Sequence, residues 1–393
     1  MSALASLCLA LTIFGIGYQF FALAAALRFF WRASRWALLG DHTPPVTVLK
    51  PLRGTGVELF ANLETFCRQD YPTYRIVFGV ADANDPAVEV VRRLQRAYPD
   101  HDLVLSIGAR RATNGKIGNL MQMMEHAAHD VLVLSDADVR VGPDYLRTMV
   151  RPLRQPNVGL STCLYRARGT FGASTVFESL LVNTDFVPMA LIGDWFGIHT
   201  AYGASIAIKR AALDAIGGFE VAADQLADDY VLGHRIAAAG YELAVLPHVV
   251  ETILDAVTLR DVWRHQIRWA RTYRTVRPLG WFVVIVTHLT TWAVLFWLAT
   301  GGAPLAQRML LAAFGSRALA LGVLMFRLRE RETPLHFWLL PAKDLAVTAL
   351  WIGSWLGRDV EWSGQRFRVE PDGRLVTLPG RSCPAPPLAE PSP

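Results

Sequence analysis

Two acidic residues one position apart follow an apolar run in the middle of the chain. Asp136 and Asp138 come after residues 131–134, whose apolar composition is typical of a buried strand. Mg²⁺ and Mn²⁺ accept carboxylate and diphosphate oxygens together, so the pair predicts a metal site that offsets the charge of a leaving diphosphate. An Asp-x-Asp triplet is also common in solvated turns, and the triplet alone does not decide between the two interpretations.

A second acidic pair, Asp228 and Asp229, precedes Tyr230 and opens a helical run that ends at Gly240. Adjacent acids in a first helical turn can simply complement the helix dipole. The functional interpretation is a general base, in which one carboxylate takes the proton from an acceptor hydroxyl as that oxygen attacks a sugar. One base and an in-line displacement would invert the anomeric centre without an enzyme nucleophile.

Three cations stand where they could meet a phosphate. Lys50 and Arg53 follow the first predicted strand, and Lys116 lies near the N-terminus of a predicted helix, where anions are favoured. Taken alone, each of them is better explained as a solvated surface charge. Together with Asp136 and Asp138, they favour a site for an anionic nucleotide.

A basic helical segment precedes the C-terminal apolar region. Arg260, Arg264, Arg268 and Arg271 fall on one stripe at helical spacing, which is typical of an amphipathic helix that meets anionic lipid headgroups. That interpretation does not explain why Trp269 stands beside Arg268, shortly before a predicted membrane segment.

The elements that must position these residues alternate between strands and helices. We predict strands at residues 46–48, 75–80, 103–107 and 131–134, and helices at residues 57–69, from residue 85 onward and at residues 117–128. This alternation predicts an α/β fold with a mostly parallel sheet and right-handed crossovers. In such sheets, ligands bind beyond the carboxyl ends of the strands. Lys50, Asp82 and the Asp136 pair all fall just past strand ends.

Composition divides the chain into apolar ends and a polar middle. Of 393 residues, 52% are hydrophobic and 19% are charged, whereas roughly a quarter are charged in ordinary soluble domains. The net charge of +5 suits an anionic donor or an anionic lipid. Nucleic acid is the weakest interpretation, because much of the arginine lies beside apolar segments.

Cys8, Cys67, Cys163 and Cys383 are widely scattered and predict free thiols.

Four apolar segments reach the length of about 20 residues that a bilayer crossing needs. Residues 3–31 form the first, and the positive-inside rule, applied to Arg28, Arg32 and Arg35, places the following domain in the cytoplasm. The other three are residues 281–300, 304–326 and 337–356. Because three full crossings would put the arginine-rich tail outside, one of them could be re-entrant or lie in the interface.

Six motifs occur in order over nearly the whole chain. They are Lys50-Pro51-Leu52-Arg53-Gly54, Asp82, Asn114-Gly115-Lys116, Asp136-Ala137-Asp138, Asp228-Asp229-Tyr230 and Arg268-Trp269. This order resembles the ceramide glucosyltransferase family and its bacterial relatives, most of all the hopanoid-biosynthesis glycosyltransferases that add N-acetylglucosamine to bacteriohopanetetrol. The resemblance implies a GT-A fold, which is a Rossmann-like α/β domain with a mostly parallel sheet.

The resemblance also implies roles for individual residues. Asp82 would contact the uracil and ribose of a UDP-sugar, and Asp136 and Asp138 would hold the nucleotide and a Mg²⁺ or Mn²⁺ ion. The remaining donor-site residues are Lys50, Arg53 and Lys116. Asp229 would be the general base, since it matches the acid before the aromatic residue of the family's Glu-Asp-Tyr motif. Arg268 and Trp269 match the end of the (Gln/Arg)-x-x-Arg-Trp motif, near the acceptor and the diphosphate.

Two positions depart from the family pattern. Asp228 stands in place of Glu, which leaves both acids of the pair as candidate catalytic residues. His265 stands where Gln or Arg is usual, and Arg264, one residue earlier, could substitute. Between the metal and base motifs, Trp195 and His199 could line the acceptor site.

These inferences predict a membrane-anchored, inverting glycosyltransferase at the cytoplasmic face of the inner membrane. It would transfer N-acetylglucosamine or glucose from a UDP-sugar to a lipid alcohol, with a hopanoid polyol preferred. The predicted organisation is a transmembrane anchor (1–36), a GT-A domain (37–278), transmembrane or re-entrant helices (279–357) and a basic, then proline-rich and disordered tail (358–393). The alternatives are a ceramide glucosyltransferase, a processive polysaccharide synthase and a non-catalytic, nucleotide-binding membrane scaffold.

Overall fold

The computed structural model describes residues 1–56, 58–109, 111–169, 172–198, 200–255 and 258–379. Within these ranges the strands are β1 (Val46–Pro51), β2 (Tyr74–Val80), β3 (Asp102–Ile107), β4 (Val131–Ser135), β5 (Val139–Arg140), β6 (Val158–Gly169), β7 (Ser205–Lys209), β8 (Glu242–Leu254), β9 (Asp359–Trp362), β10 (Gln365–Val369) and β11 (Leu375–Thr377). The α-helices are α1 (Ala3–Ala33), α2 (Leu59–Cys67), α3 (Ala87–Ala97), α4 (Gly115–Met123), α5 (Tyr145–Val150), α6 (Gly172–Leu181), α7 (Val187–Trp195), α8 (Arg210–Asp214), α9 (Asp228–Ala238), α10 (Leu259–Val276), α11 (Pro278–Val283), α12 (Leu289–Ala299), α13 (Pro304–Arg327) and α14 (Leu340–Trp355).

The first eight strands form one mixed sheet in the order β3-β2-β1-β4-β7-β6-β8-β5. Its half from β3 to β4 is entirely parallel, and its four strands include the four stretches predicted as strands. β4 then pairs with β7 antiparallel, and β6 pairs antiparallel with β7 and parallel with β8. The predicted α/β class with a mostly parallel sheet is therefore confirmed.

Hydrophobic cores lie on both faces of the sheet, and alternate residues of each strand enter different cores. Val46 and Val48 of β1 and Val133 of β4 belong to the core on one face. Leu49 and Leu132 belong to the core on the other face. Because successive side chains of a strand point to opposite faces, a strand between the two cores is mostly apolar. The central strands are visible in the sequence for this reason. In β1 the buried Thr47 is an exception, and its Oγ1 lies 3.0 Å from His129 Nδ1.

Three helices among the described residues are long and apolar enough to cross a membrane, namely Ala3–Leu38, Gly172–Trp195 and Pro304–Arg327. The first and the last correspond to predicted segments. The predicted segment 281–300 is instead a bent pair, Pro278–Thr287 and Leu289–Ala299, with an angle of 51° between its halves. The bend falls at His288, whose Nδ1 lies 2.8 Å from Thr348 Oγ1.

The predicted segment 337–356 has a different local structure at each end. A 3₁₀ turn at Thr333–Leu339 leads into α14, which has 16 residues. A bilayer crossing needs about 20 residues, so α14 is shorter than a full span. Lys343 and Asp344 in its first turns are buried among the neighbouring helices.

The helix Gly172–Trp195 has no counterpart among the predicted apolar segments. It consists of α6, a π-helical turn at Val182–Phe186 and α7. Buried residues make up 61% of its apolar window. Glu178 and Asp185 interrupt its apolar sequence, so the sequence did not indicate a membrane-type helix. The two acids are tolerated in the helix because each pairs with a residue that is distant in sequence.

The basic part of the C-terminal tail folds into a small antiparallel sheet of β9, β10 and β11. Val360, Phe367 and Val369 form its buried face, which packs against Leu226. Leu226 N also donates to Gly373 O at 3.0 Å, and Leu375 N donates to Asp224 O at 2.7 Å. The small sheet therefore holds the loop that leads into α9. The proline-rich stretch 383–393, predicted to be disordered, lies outside the described residues.

Candidate active site

The carboxyl ends of β1 and β4 meet at one edge of the sheet, because the two strands are parallel neighbours. Lys50 of β1 is fully buried there. Its Nζ donates to Ser135 Oγ at 3.3 Å and to the Asp136 carbonyl, and it lies 3.9 Å from the centroid of the Phe66 ring. Burial lowers the pKa of Lys50 to about 7, against the opposing effect of the Asp136 and Asp138 carboxylates. Lys50 supports the turn that carries Asp136, and its predicted contact with the nucleotide stays a prediction.

Lys116 joins the two acidic motifs. It lies in the first turn of α4, which Asn114 caps by accepting from Lys116 N at 3.0 Å. Its Nζ lies 2.6 Å from Asp136 Oδ1 and 3.6 Å from Asp228 Oδ2, and it donates to Gly203 O at 3.1 Å. Burial disfavours the charged form, but the Asp136 and Asp228 carboxylates outweigh it and raise the pKa of Lys116. The structure therefore brings together residues that are far apart in sequence, as the motif analysis predicts.

Asp229 is held by two backbone donors in the first turn of α9. Its Oδ2 accepts from Gly203 N at 2.9 Å and its Oδ1 accepts from Tyr230 N at 2.7 Å. Burial raises the pKa of Asp229 to about 6, the Asp228 charge adds to the effect, and the Lys116 charge opposes it. A carboxylate with a pKa near the working pH is suited to proton transfer.

The two acids of the second pair have different partners. Asp228 is buried and faces Lys116, whereas Asp229 forms no salt bridge with any described residue. A carboxylate without a cationic partner accepts a proton more easily than one beside an ammonium group. Of the two candidate bases, the geometry favours Asp229.

Asp136 and Asp138 provide hard oxygen donors at the end of β4. Burial and the Asp136 charge raise the pKa of Asp138 to about 7, with Lys50 opposing. The described residues contain no cluster of three or more His, Cys, Asp or Glu that could hold a metal by itself. Mg²⁺ at nucleotide sites is usually bound by one or two carboxylates together with phosphate oxygens. Asp136 and Asp138 fit this coordination, because two carboxylates leave the other coordination positions to the diphosphate.

Arg268 and Trp269 reach the site from α10. Burial lowers the pKa of Arg268, while the charges of Asp228 and Asp136 oppose the change. The guanidinium also lies 5.3 Å from the centroid of the Trp362 ring in β9. Trp269 packs edge-on against Tyr165, with the ring centroids 6.3 Å apart.

The structure also separates the two candidates for the first position of the Arg-Trp motif. His265 Nδ1 contacts Glu178 Oε1 at 2.5 Å, and its ring lies 5.1 Å from the Trp269 ring. Arg264 instead pairs with Asp261 and with Glu361 of β9. His265 therefore occupies the position beside Trp269.

Arg53 and Asp82 lie exposed beyond the carboxyl ends of β1 and β2. Asp82 Oδ1 accepts from Asn84 N at 2.9 Å. The neighbouring Asp85 accepts from Gly54 N with both carboxylate oxygens, at 2.9 and 3.1 Å, and so fixes the loop that carries Arg53. These contacts keep both predicted donor-site residues at the edge that bears the acids, and their nucleotide contacts stay predictions.

An aromatic wall that the sequence did not predict lies beside Asp229. Tyr165 and Phe186 stack with their ring centroids 4.3 Å apart, and Phe186 meets Tyr202 edge-on at 5.5 Å. Burial and the nearby Asp229 charge raise the pKa of Tyr273 of α10. These residues come from separate elements, and none belongs to a motif that would have indicated it.

The two other predicted acceptor-site residues have different outcomes. Trp195 lies at the end of α7, where Arg28 of α1 stacks on its ring at 4.5 Å from the centroid. Its predicted contact with an acceptor stays a prediction. His199 lies outside the described residues.

A cavity of about 160 Å³ extends from this aromatic wall into the apolar helices. Trp269 and Tyr273 line it on the side of the catalytic domain. Gln19 of α1 and Arg317 of α13 line it among the long helices. Phe186 also lines the cavity and meets Tyr202, which precedes the glycine that binds Asp229. Through these residues the cavity leads from the surroundings of Asp229 to the long apolar helices.

The sheet is mixed and carries acids beyond β4, and a second acidic pair opens α9. An Arg-Trp pair lies on a helix beside the apolar spans. This fold and this site define a GT-A glycosyltransferase. The chain belongs to glycosyl transferase family 21, whose sequence model matches residues 7–375. It is 25% identical to ceramide glucosyltransferase 1 of Caenorhabditis elegans over 346 residues, which cover 85% of this chain and 73% of that one. It is 24% identical to beta-monoglucosyldiacylglycerol synthase of Synechocystis over 266 residues, which cover 62% of this chain and 54% of that one.

The fold has a solved counterpart in a mannosyltransferase from Pyrobaculum calidifontis in complex with GDP-Man and Mn²⁺. The TM-score is 0.52 at 22% identity, and the match covers 90% of this chain and 98% of that one. The predicted GT-A fold is thereby confirmed. Family membership makes the chain a hexosyltransferase, so the predicted enzyme class is confirmed as well.

Proposed function

We propose that this protein transfers one hexose from a UDP-sugar to a hydroxyl group of a membrane lipid, with inversion at the anomeric carbon. The observation that carries the proposal is the position of Asp229. Asp229 accepts from the N–H of Gly203, and Lys116, which pairs with Asp136, donates to the carbonyl of the same glycine. Tyr202, the preceding residue, packs against Phe186, which lines the cavity that enters the apolar helices. The relatives named for ceramide and diacylglycerol support a lipid acceptor.

In this mechanism Asp229 is the general base. Its carboxylate takes the proton of the lipid hydroxyl while the lipid oxygen forms a bond to the anomeric carbon. The bond from that carbon to the diphosphate oxygen breaks, its electron pair stays on the diphosphate, and UDP leaves. The N–H groups of Gly203 and Tyr230 orient the carboxylate during the transfer. A single base on the acceptor side leads from an α-linked donor to a β-linked product.

The donor site must stabilise the diphosphate as its charge increases. Lys116 pairs with Asp136 and Asp228, and the charges of the same two acids act on the buried Arg268. Asp136 and Asp138 would hold a Mg²⁺ or Mn²⁺ ion, which when bound offsets negative charge on the diphosphate. Cations arranged in advance around the developing charge lower the barrier more than cations in water would.

The sugar and the acceptor are proposed at a finer level. N-acetylglucosamine and a hopanoid polyol rest on the motif resemblance, whereas glucose and ceramide rest on the relatives named for ceramide. We propose a multi-pass protein of the cytoplasmic membrane with its catalytic domain in the cytoplasm, because Arg28, Arg32 and Arg35 follow the first apolar helix.

The test uses the full chain in membranes, with UDP-N-acetylglucosamine or UDP-glucose as donor. Ceramide, diacylglycerol and bacteriohopanetetrol are supplied separately as acceptors, and products are identified by mass spectrometry and by anomeric proton coupling. We expect a β-linked monoglycoside of one lipid. A polymeric product would favour a processive synthase, and the absence of any lipid product from folded, UDP-binding protein would overturn the proposal.

Replacement of the base separates catalysis from binding. Asp229→Asn should retain UDP binding and lose transfer by about 100-fold or more, since general bases contribute roughly 10²–10⁴-fold. Asp214→Asn is the matched control, because Asp214 is an exposed acid at the end of α8. Full activity of Asp229→Asn would show that another group takes the proton.

A further inference from the structure

Four charged side chains form a closed group among the apolar helices. Asp185 lies in the π-helical turn, Arg317 in α13, and Lys343 and Asp344 in α14. Arg317 Nη2 lies 2.9 Å from Asp185 Oδ1 and 2.7 Å from Asp344 Oδ1. Lys343 Nζ lies 2.8 Å from Asp185 Oδ2 and 2.7 Å from Asp344 Oδ1. Two cations and two anions leave the group, called here the charge tetrad, electrically neutral.

Two buried donors at the edge of the charge tetrad have no hydrogen-bond partner among the described residues. They are Gln19 Nε2 and Arg317 Nε. Gln19 is only 4% exposed, and its Oε1 accepts from Arg317 Nη1 at 3.4 Å. That bond fixes the orientation of the amide, because the oxygen must face the guanidinium and the NH₂ group must face away. A buried donor without a partner costs free energy, so each such donor calls for an explanation.

Both residues line the cavity that begins at Trp269 and Tyr273. Its volume of about 160 Å³ is roughly ten times the 10–15 Å³ that one water molecule needs. Apolar side chains such as Ala22, Leu321 and Leu324 form much of the wall between the two ends. The cavity is thus a mostly apolar passage with an aromatic end near Asp229, and the Gln19 and Arg317 side chains lie along it. Their free Nε2 and Nε atoms lie behind this lining, so a ligand in the cavity reaches them when the two side chains turn toward it.

We infer that Gln19 and Arg317 bind a second oxygen atom of the acceptor lipid, separate from the hydroxyl that receives the sugar. This inference rests on the proposed function, because it requires the lipid to occupy the cavity with its reacting hydroxyl near Asp229. The second oxygen belongs to a hydroxyl or a carbonyl group within the lipid, and it accepts from Gln19 Nε2–H, from Arg317 Nε–H or from both.

The neutral charge tetrad decides the class of this oxygen. The two cations are already matched by two carboxylates, so a phosphate in the cavity would bring negative charge without compensation. An uncharged hydroxyl or carbonyl oxygen meets the two donors without that penalty. The charge tetrad also holds α13, α14 and the π-helical turn together. That structural role does not explain why Gln19 Nε2 and Arg317 Nε have no hydrogen-bond partner among the described residues.

The test measures lipid binding by the full-length protein in detergent micelles through tryptophan fluorescence, since Trp269 and Trp281 line the cavity. The probes are ceramide, which carries an amide carbonyl and a second hydroxyl, and octadecan-1-ol, which carries one hydroxyl. Gln19→Leu removes the donor, and Thr12→Val is the matched control. Thr12 is also buried on α1, but it donates to Cys8 O at 2.7 Å and does not line the cavity.

For Gln19→Leu we expect the Kd of ceramide to rise about tenfold while the Kd of octadecan-1-ol and of UDP stay within twofold. Thr12→Val should bind all three as the wild type does. Equal weakening with both lipids would show a purely structural role and overturn the inference, as would unchanged ceramide binding or a wild type that does not prefer ceramide. Octadecyl phosphate should bind no more tightly than octadecan-1-ol, and tighter binding would overturn the assignment of an uncharged oxygen.

Sugar transfer to ceramide is measured in parallel and separates this inference from the proposed function. Gln19-dependent binding without any transfer would remove the proposed function and leave the binding site in place. If the wild type transfers sugar to ceramide and Gln19→Leu leaves the KM for ceramide unchanged, the proposed function stands and the inference about Gln19 is overturned.

Discussion

Replacement of Gly203 by alanine tests whether the backbone N–H of this residue orients the base. The N–H of Gly203 donates to Asp229 Oδ2 at 2.9 Å. A Cβ atom at residue 203 would lie 3.0 Å from that same oxygen and 3.4 Å from the Asp229 Cβ and Cγ atoms. The carboxylate must therefore shift by a few tenths of an ångström, and its hydrogen bond must lengthen or bend.

The magnitude follows from the value of a hydrogen bond to a charged group. Such a bond contributes about 1.5–3 kcal/mol, and about 1.36 kcal/mol corresponds to a tenfold change in rate. Gly203→Ala should therefore lower kcat/KM by roughly 10- to 100-fold. The melting temperature should change little, because the displaced atoms are the end of one side chain.

The pH profile gives a second readout. In the proposed mechanism Asp229 acts as a base in its deprotonated form. Its pKa is raised to about 6, so transfer by the wild type should fall as the pH drops through about 6. The Gly203 N–H stabilises the carboxylate form, so its loss raises the pKa further. The acid limb of the profile should move to higher pH in Gly203→Ala.

The assay is transfer of a radiolabelled hexose to lipid between pH 5 and pH 8. Gly315→Ala in α13 is the control, because a Cβ atom there meets nothing within 4 Å. An unchanged kcat/KM with an unchanged acid limb in Gly203→Ala would refute the reasoning that this N–H positions the base.

Two further predictions concern the donor side of the site. Lys116→Met leaves Asp136 and Asp228 without their shared cation, so we expect a 100-fold or larger loss of kcat/KM, measured by initial rates at several UDP-sugar concentrations. Lys116→Arg should recover part of that loss, and wild-type kinetics in Lys116→Met would contradict a role for the ammonium group. Removal of divalent cations with a chelator should abolish transfer, and added Mn²⁺ or Mg²⁺ should restore it. Asp138→Asn should weaken Mn²⁺ binding at least tenfold in a direct titration, and transfer that persists in excess chelator would argue against a metal at this pair.

The parallel half of the sheet could be predicted because the burial of each strand is visible in the strand's own residues. β1 and β4 are buried on both faces, so each is short and mostly apolar, with Thr47, Lys50 and Ser135 as the polar exceptions. The same argument places acids beyond strand ends at one edge, which is where Asp136 and Asp82 lie. These features depend on a few adjacent residues, and a single sequence contains them in full.

Other features depend on partners far along the chain. Glu178 and Asp185 interrupt an apolar helix, and their partners His265 and Arg317 lie 87 and 132 residues later. Without those partners the stretch does not stand out as a membrane-type helix. The burial of Lys50 under the Asp136 turn was hidden for the same reason, since a lysine after a strand is usually solvated.

The small C-terminal sheet has a consequence for how the enzyme matures. The small sheet's strands and turn form backbone hydrogen bonds with Asp224 and Leu226, in the loop just before Asp229. The ring of Trp362 contacts the guanidinium of Arg268. These strands leave the ribosome after every apolar helix, and chains fold in the order in which they emerge. A nascent chain thus completes the strand that precedes Asp136 before the loop that precedes Asp229 is fixed. The loop before Asp229 therefore gains its contacts with the small sheet only after α14 has been synthesised.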